Sequence, residues 1–328
     1  MKKKVIVTGG AGFIGSHLVD LLLKKNFKVI VIDNLSGGRL DNVSHHKGNK
    51  NFLLLKKDIT DESIKKLKLN NINYIFHLAG KGDIVPSIEN PSLYFNTNLS
   101  GTINVLELAR SLNIKKFIYA ASSSCYGLAK VPTKESNQLD PKYPYALSKL
   151  MGEQACMHWA KLYKLPVISI RIFNAYGPRV KTTGVYGAVF GVFFKQKLQK
   201  MPFTLVGNGK QKRDFLFVTD VAEAFYKCAI SKKKNEIYNL GAGNPRTILR
   251  LINILKGKYV KIPKRPGEPE CTWADISKIK KDIKWRPKIN FSEGVNFMLK
   301  DLHKWKDAPL WSPKKINKAT KTWFKYLS

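Results

Sequence analysis

The feature that most constrains this chain is a glycine-rich turn between an apolar strand and an amphipathic helix. Residues 4–8 read Lys-Val-Ile-Val-Thr, a β-branched run that predicts a buried strand, and apolar residues at helical spacing follow the turn. Gly9, Gly12 and Gly15 permit a tight turn and a close approach of the backbone. Because the next helix begins with free amide groups that suit a pyrophosphate, the turn predicts a dinucleotide site.

A second apolar run, residues 28–32, ends at an acidic residue, Asp33. A carboxylate at this position can accept hydrogen bonds from the ribose hydroxyls of adenosine, and it would repel the additional phosphate of NADP. The order strand, glycines, helix, strand and acid therefore favours NAD as the cofactor.

Strand-like and helical patterns alternate along the following residues, which predicts an α/β fold with a doubly wound parallel (Rossmann) sheet. Further strands are predicted at 52–55, 74–78, 117–121 and 167–172, and helices at 98–112 and 145–163. Ligands bind at the carboxyl ends of such strands. The residues found there are Asp58, Ile59, Leu78, Ala79, Gly80, Ser122, Ser123, Ser124 and Asn174.

Tyr145 and Lys149 lie four residues apart in a predicted helix, so they share one helical face. A lysine charge near a tyrosine favours the phenolate, which predicts a pKa for Tyr145 below its ordinary value of about 10. Such a group can remove a proton from a sugar hydroxyl. On its own the spacing also fits an exposed helix without chemistry, and the glycine-rich turn is what favours a catalytic pair.

The charge distribution bears on possible partners. The chain has 58 Lys and Arg residues against 23 Asp and Glu, a net charge of +35, which would attract a polyanion. Only nine of the basic residues are Arg, and the lysines are scattered. This pattern favours a solvated background over a nucleic-acid surface, although a positive field would also attract an anionic sugar nucleotide.

Cysteines and apolar segments indicate the compartment. Cys125, Cys156, Cys228 and Cys271 are far apart and lack metal-ligand spacing, so we expect reduced thiols and no metal site. The basic start precedes an apolar run too short for a secretion signal, and no apolar segment could cross a bilayer. We therefore expect a cytoplasmic protein without a membrane partner.

After Asn174 the alternating pattern loosens, which predicts interlaced domains. We expect an NAD-binding domain at 1–173 plus about 213–245, and a smaller C-terminal substrate-binding lobe at about 174–212, with its Gly-rich stretch to Gly191, plus 246–302. A helical tail, 303–328, interleaves aromatic residues with lysines. Such a tail could stack on single-stranded nucleic acid, but packing on its own domain or on a partner subunit is favoured. Ser312 and Pro313 fit the N-cap and first residue of its helix.

The motifs together resemble the extended short-chain dehydrogenase/reductases of the NAD-dependent epimerase/dehydratase type, most of all UDP-glucose and UDP-N-acetylglucosamine 4-epimerases. The resemblance reaches to about residue 300. Its motifs are TGGAGFIG at 8–15, Asp33, Asp58, HLAG at 77–80, Asn98, ASSSCYG at 121–127, YALSK at 145–149, FNAYGPR at 173–179 and RDF at 213–215. It implies an enzyme with a nucleotide-sugar substrate and a homodimer formed through the helices at 98–112 and 145–163.

The resemblance also implies roles for individual residues. Tyr145, Lys149 and Ser122 would be catalytic. NAD contacts would come from Gly9, Gly12, Phe13, Ile14, Gly15, Asp33, Asn34, Asp58, Ile59, Leu78, Ala79, Gly80, Asn98, Tyr145 and Lys149. Substrate contacts would come from Ser87, Ser122, Ser123, Ser124, Asn174, Arg213, Arg265, Glu268 and Thr272, with the arginines on the diphosphate. Lys81 is shifted by one residue from the family pattern, which leaves a cofactor contact by this lysine open.

Ser123 and Ser124 distinguish the reactions of the family. Dehydratases carry Asp-Glu there, because removing water requires a further acid and base, and UDP-glucuronate decarboxylases carry Glu at the position of Ser124. The resemblance thus implies an NAD-dependent nucleotide-sugar 4-epimerase with a transient 4-keto intermediate, acting on UDP-glucose/UDP-galactose or a UDP-N-acetylhexosamine. Thr272, small where some epimerases carry Tyr, leaves room for either sugar. Another epimerase, a reductase or a dehydratase of the family is the alternative, and a nucleic-acid-binding protein on the same fold is the alternative of a different class.

Overall fold

Thirteen strands and eleven α-helices occur in the residues that the computed structural model describes, 2–180 and 189–327. The strands are β1 (Lys4–Thr8), β2 (Lys28–Ile32), β3 (Phe52–Leu55), β4 (Ile72–His77), β5 (Lys116–Ser122), β6 (Val167–Ile172), β7 (Ala175–Tyr176), β8 (Phe203–Val206), β9 (Lys212–Arg213), β10 (Leu216–Phe217), β11 (Glu236–Leu240), β12 (Arg246–Thr247) and β13 (Tyr259–Ile262). The helices are α1 (Phe13–Lys24), α2 (Ile84–Glu89), α3 (Pro91–Phe95), α4 (Gly101–Ser111), α5 (Pro144–Leu162), α6 (Val189–Leu198), α7 (Val218–Ile230), α8 (Ile248–Leu255), α9 (Ser277–Ile283), α10 (Phe291–Lys300) and α11 (Pro313–Leu327).

Seven strands form one parallel sheet in the order β3-β2-β1-β4-β5-β6-β11. The predicted doubly wound Rossmann sheet is therefore confirmed, and all six strands expected in its N-terminal part are present within two residues of their predicted bounds. The strand order reverses between β1 and β4. This switch point is where sheets of this class bind their ligands.

Alternating side chains of the strands fill two cores, one on each face of the sheet. Val5 and Val7 of β1 pack in a cluster with residues of α1 and α7, whereas Ile6 packs with residues of α4 and α5. Both faces are covered, so the strands are apolar at successive positions and not only at alternate ones.

A third buried cluster lies outside the sheet and is rich in phenylalanine. It joins α6, β8, α8 and α10, and includes Phe190, Phe193, Phe194, Phe203, Phe215 and Phe291. Phe215 and Phe217 belong to this cluster although they lie in sequence between β6 and β11, two strands of the seven-stranded sheet. The predicted domain division assigns both residues to the NAD-binding domain, whereas they pack in the cluster of the second lobe; the division itself remains a proposal. Residues 181–188 of the Gly-rich stretch lie outside the described residues.

The C-terminal tail packs on its own chain, one of the two outcomes favoured by its sequence. Ser312 caps α11, because its hydroxyl accepts a hydrogen bond from Lys315 N over 3.3 Å and its carbonyl accepts one from Ile316 N. Trp305 and Trp323 are buried, so these rings do not form an open stacking surface. None of the helices in the described part of the chain combines the length and the apolar character needed to cross a bilayer.

Candidate active site

Tyr145 and Ser122 meet at the carboxyl end of the sheet. Tyr145 lies in the first turn of α5, and its phenol donates a hydrogen bond to Ser122 Oγ over 3.1 Å at the end of β5. Ser122 Oγ also accepts a hydrogen bond from Ser124 N over 3.2 Å. The backbone thus fixes the serine hydroxyl, and the fold brings two of the three predicted catalytic residues into contact.

Lys149 lies one turn further along α5 and is buried. Its ammonium group lies 4.3 Å from the centre of the Tyr119 ring, and a Cβ atom added at Gly80 would lie 3.7 Å from Nζ. No hydrogen bond joins Lys149 to Tyr145 in the described structure, although both side chains approach the ends of adjacent strands. Burial lowers the pKa of Lys149 to about 8, because desolvation penalises the charged ammonium form.

The pKa of Tyr145 is raised, and the prediction of a lowered value is wrong for the protein without ligands. Burial has the largest effect, the hydrogen bond with Ser122 opposes it, and the carboxylate of Asp83 adds to it. The physical reason is that desolvation penalises the phenolate more strongly than its neighbours stabilise it.

Two aromatic rings that sequence reasoning missed enclose Tyr145. Tyr143 lies nearly parallel to it, with ring centres 6.2 Å apart and planes 14° apart, and Tyr94 of α3 meets it edge-on at 6.4 Å. Such arrangements are favourable for aromatic pairs and restrict the ring of Tyr145. The sequence signal for Tyr143 is its place two residues before Tyr145.

A buried ion pair anchors α5, the helix that carries Tyr145 and Lys149, to the sheet. Arg171 of β6 donates to Glu153 of α5 with a shortest distance of 2.5 Å, and Ser169 Oγ donates to the same carboxylate over 2.7 Å. The guanidinium also donates to Tyr126 Oη over 2.7 Å. Because the polar atoms of the pair are bonded, these contacts orient α5 without leaving an unpaired buried charge.

A second buried network connects β1 to the segment that carries Asn98. Thr8 Oγ1 lies 2.6 Å from His77 Nδ1, His77 Nε2 lies 2.9 Å from Thr102 Oγ1, and Thr102 Oγ1 donates to the carbonyl of Asn98. Burial lowers the pKa of His77 to about 3, so the imidazole is neutral and donates through one nitrogen only. This network places Asn98 next to the end of β4.

Asn98 lies in a π-helical turn, Asn96–Ser100, and its side chain binds the loop after β4. The amide accepts a hydrogen bond from Lys81 N over 2.8 Å and donates to Lys81 O and to Ser148 Oγ. The loop formed by Leu78, Ala79, Gly80 and Lys81 is thereby tied to α5. Lys81 takes part in these hydrogen bonds through its backbone N–H and carbonyl groups, not through its side chain.

The glycine-rich turn leaves room that a larger residue would fill. Gly9 has a φ of +70°, and a Cβ atom at this position would lie 2.6 Å from Ala79 N. Gly15 packs directly against the carbonyl of Gly9. Gly12 is the N-cap of α1, and no side chain among the described residues caps this helix, so its first-turn amides at Phe13 and Ile14 suit a pyrophosphate.

Asp33 lies beside this turn and is held by backbone amides. Its carboxylate accepts hydrogen bonds from Ala11 N over 2.9 Å and from Leu35 N over 2.8 Å, while burial raises its pKa. Asn34 donates to Asp58 over 2.6 Å, which brings the ends of β2 and β3 together. The glycine-rich turn, the uncapped helix and the acidic residue thus fit a dinucleotide such as NAD. The side chain of Ile59, a predicted NAD contact, is instead buried in the core.

A cavity of about 480 Å³ lies beside the candidate catalytic residues and extends into the phenylalanine-rich lobe. Ser123 and Ser124 line it, whereas Ser122, Tyr145 and Lys149 themselves are not among its lining residues. Predicted substrate residues that line it are Ser123, Ser124, Asn174, Arg213, Arg265, Glu268 and Thr272. Lining residues that sequence reasoning missed include Asp83, Lys142, Tyr143, Phe190 and Trp323. Ser87 does not line it: this side chain is fully buried and its hydroxyl donates to Ile84 O within α2, so the structure does not support a substrate contact.

Charged side chains cluster in one part of the cavity. Arg213 Nη2 lies 2.6 Å from Glu268 Oε1, and Arg265 Nη1 lies 3.9 Å from the other carboxylate oxygen. Two guanidinium groups share one carboxylate, which leaves a net positive charge suited to a diphosphate.

Asp214, the central residue of the RDF motif, lies beneath the cavity-lining Thr272 and organises the surrounding backbone. It is fully buried and accepts hydrogen bonds from the amides of Ala242, Gly243 and Ala274. Its own amide donates to Thr272 Oγ1, and Thr272 donates to Asn174 Oδ1 over 2.6 Å. Thr272 is thus fixed by two bonds through its hydroxyl.

Comparisons with known proteins agree with this architecture. The family model described as GDP-mannose 4,6 dehydratase matches residues 6–298. A putative UDP-glucose 4-epimerase of Methanocaldococcus jannaschii is 34% identical over 300 residues, which cover 89% of this chain and 95% of that protein.

Two solved structures extend the comparison to ligand complexes. The UDP-N-acetylglucosamine 4-epimerase of Methanobrevibacter ruminantium, in complex with UDP-N-acetylmuramic acid, matches with a TM-score of 0.85 and 33% identity over 92% of this chain and 100% of that one. The UDP-glucuronic acid 4-epimerase of Bacillus cereus, in complex with UDP-glucuronic acid and NAD, matches with a TM-score of 0.85 and 31% identity over 92% and 99% of the two chains. The chain therefore belongs to the extended short-chain dehydrogenase/reductases, in the nucleotide-sugar epimerase and dehydratase family that the GDP-mannose 4,6 dehydratase model describes.

Proposed function

We propose that this protein is an NAD-dependent nucleotide-sugar 4-epimerase that acts on UDP-glucose/UDP-galactose or on a UDP-N-acetylhexosamine. The observation that carries the proposal is the contact of Tyr145 with Ser122, next to a strand end whose following residues are Ser123 and Ser124. In this arrangement the Tyr145 phenol can act as a base and the serine hydroxyls can bind the oxygen at one carbon of the sugar. It lacks, at the two serines, the carboxylates by which dehydratases and decarboxylases of the family are distinguished.

In this proposal NAD is held by the glycine cradle and Asp33, and supplies, when bound, a group that can take up and return hydride. Tyr145 accepts the proton of the 4-hydroxyl group, and Ser122 donates a hydrogen bond to the same oxygen. Lys149 contributes a positive charge beneath the site when protonated. The sugar becomes a 4-ketone in passing and regains its hydroxyl with the opposite configuration.

Arg213 and Arg265 would bind the diphosphate of the substrate, with Glu268 orienting both guanidinium groups. The apolar part of the cavity around Phe190 and Phe193 would accommodate the nucleoside. The presence of two arginines and of apolar side chains in one cavity of about 480 Å³ supports a bulky, doubly charged substrate.

A homodimer is part of the proposal, because the related helices pair subunits in the family that the sequence resembles. Leu147 and Leu162 of α5, and Tyr163 just after it, are exposed. Light scattering on the purified protein tests this point: a mass near twice 37.2 kDa is expected, and a monomeric mass at micromolar concentration contradicts it.

The reaction is tested by incubating the NAD-loaded protein with UDP-glucose, UDP-N-acetylglucosamine and UDP-glucuronate and following the sugar protons by NMR. We expect interconversion at C4 without net change in the absorbance of reduced cofactor. Net oxidation of NADH would favour a reductase, and loss of water would favour a dehydratase. If none of the three UDP-sugars is converted, and CDP-, GDP- and dTDP-sugars are inert as well, the epimerase proposal is wrong.

A further inference from the structure

The C-terminal helix α11 lies beside the substrate cavity, and one of its side chains lines that cavity. Trp323 is only 6% exposed and faces a space that Tyr143, Arg265 and Gly267 also line. Two hydrogen bonds fasten this part of α11: Trp323 Nε1 donates to Pro266 O over 2.7 Å, and Thr322 Oγ1 donates to Glu89 of α2 over 3.1 Å.

The indole of Trp323 lies near two functionally distinct groups. The Arg265 guanidinium lies 5.5 Å from the ring centre, within the range of a cation–π contact. The centre of the Tyr143 ring lies 6.5 Å from that of the indole. Because Tyr143 also stacks on Tyr145, Trp323 is separated from the candidate catalytic base by a single aromatic ring.

Among the residues that line this part of the cavity, Trp323 lies outside the region that the family model matches, whereas Tyr143, Arg265 and Gly267 lie within it. The family match ends at residue 298, before α11 begins. Family membership alone therefore does not account for an aromatic side chain at this position.

We propose that α11 forms the wall of the cavity at the sugar end and that Trp323 determines which sugar substituents fit there. This inference rests on the proposed function, because it takes a nucleotide sugar as the ligand. A flat apolar ring packs well against the C–H groups of a hexose, and its fixed position limits the volume left for groups attached to the sugar ring. The hydrogen bond from Trp323 Nε1 to Pro266 O restrains the indole, and the bond from Thr322 to Glu89 fastens the helix that carries it.

The test compares Trp323→Ala and Trp323→Phe with Tyr326→Ala, a matched control that removes an exposed aromatic ring from the same helix. All are made in NAD-loaded protein that carries Tyr145→Phe, so that no turnover disturbs the titration. Calorimetry then gives Kd for UDP, UDP-glucose, UDP-N-acetylglucosamine and UDP-glucuronate, and thermal unfolding reports whether each variant is folded.

We expect Trp323→Ala to change the ratio of Kd values among the three nucleotide sugars by roughly tenfold, with UDP itself affected by about twofold or less. Trp323→Phe should give an intermediate change, and it carries the test if the alanine variant does not fold. Tyr326→Ala should leave the ratios unchanged.

Equal effects on all four ligands, or unchanged ratios, overturn the inference. If the parent protein interconverts nucleotide sugars and the ratios do not change, only this inference falls. If no form of the protein binds any nucleotide sugar, the inference falls together with the proposed function.

Discussion

The phenol of Tyr145 donates a 3.1 Å hydrogen bond to Ser122 Oγ, and this bond joins the first turn of α5 to the end of β5. The serine hydroxyl is fixed in turn by the amide of Ser124. A substrate oxygen that binds between these two groups would therefore meet both a base and a donor whose positions are set before binding.

Replacing Tyr145 with Phe removes the proton acceptor and preserves the ring that packs against Tyr143 and Tyr94. We expect kcat to fall by roughly a hundredfold to ten-thousandfold, the range of a general base, while NAD binding persists. Conversion measured by NMR and NAD content measured after gel filtration check both parts. Tyr163→Phe, at the exposed end of the same helix, should retain full activity; equal activity of the Tyr145 variant would place the base elsewhere.

Replacing Asp83 with Asn should extend activity to lower pH. The carboxylate of Asp83 raises the pKa of Tyr145, since one negative charge opposes the formation of another. Without it the pKa of Tyr145 falls, and the deprotonated form persists to lower pH. The acidic limb of kcat/KM against pH should therefore move down in Asp83→Asn and stay in place in Asp61→Asn, an exposed control. A shift to higher pH would contradict this electrostatic account.

Lys149 should reduce the stability of the protein without ligands. Burial lowers its pKa to about 8 in the folded state, so protonation favours the unfolded state below the unfolded pKa. Lys149→Met should therefore increase the free energy of unfolding at pH 7 by roughly 1 to 3 kcal/mol and abolish activity. Because the pKa of Lys149 is lowered in the folded state, the difference in the free energy of unfolding between Lys149→Met and wild type should shrink as pH rises from 8 to 10.

Chemical denaturation at pH 7 and pH 10 measures this difference. Lys161→Met, at an exposed position of the same helix, serves as the control and should change stability little at either pH. A destabilised Lys149→Met variant at pH 7 would show that the packing of the ammonium group outweighs its desolvation.

Thr272 should influence the choice between sugars with and without an N-acetyl group. A tyrosine at this position would fill part of the cavity, so Thr272→Tyr should lower kcat/KM for UDP-N-acetylglucosamine relative to UDP-glucose by roughly tenfold or more. Thr272→Val keeps the volume but loses the hydrogen bonds to Asn174 and Asp214. If the valine variant shows the same change in preference, the hydroxyl and not the volume is responsible.

Local patterns were sufficient for the sheet and for the cofactor side of the site. Gly9 and Asp33 directly follow β1 and β2, and Gly15 lies in the first turn of α1. Their backbone requirements can be predicted from residue type and local spacing. The pKa of Tyr145 was predicted with the wrong sign, because the spacing of Lys149 reports a shared helical face but not the burial of the phenol. The burial of Ser87 was likewise not evident from the sequence: its hydroxyl donates a hydrogen bond within its own helix and does not face the cavity.

The sequence by itself determined the order of strands and helices, the dinucleotide cradle and the pair of residues around which a base can be built, because these depend on short-range spacing and on backbone geometry. Only the tertiary structure decided which distant side chains complete the site. Asp83 and Tyr94 reach it from neighbouring segments that precede β5, and Trp323 reaches it from the C-terminal helix. Their contribution depends on long-range packing and on desolvation, and neither leaves a periodic signal in the sequence.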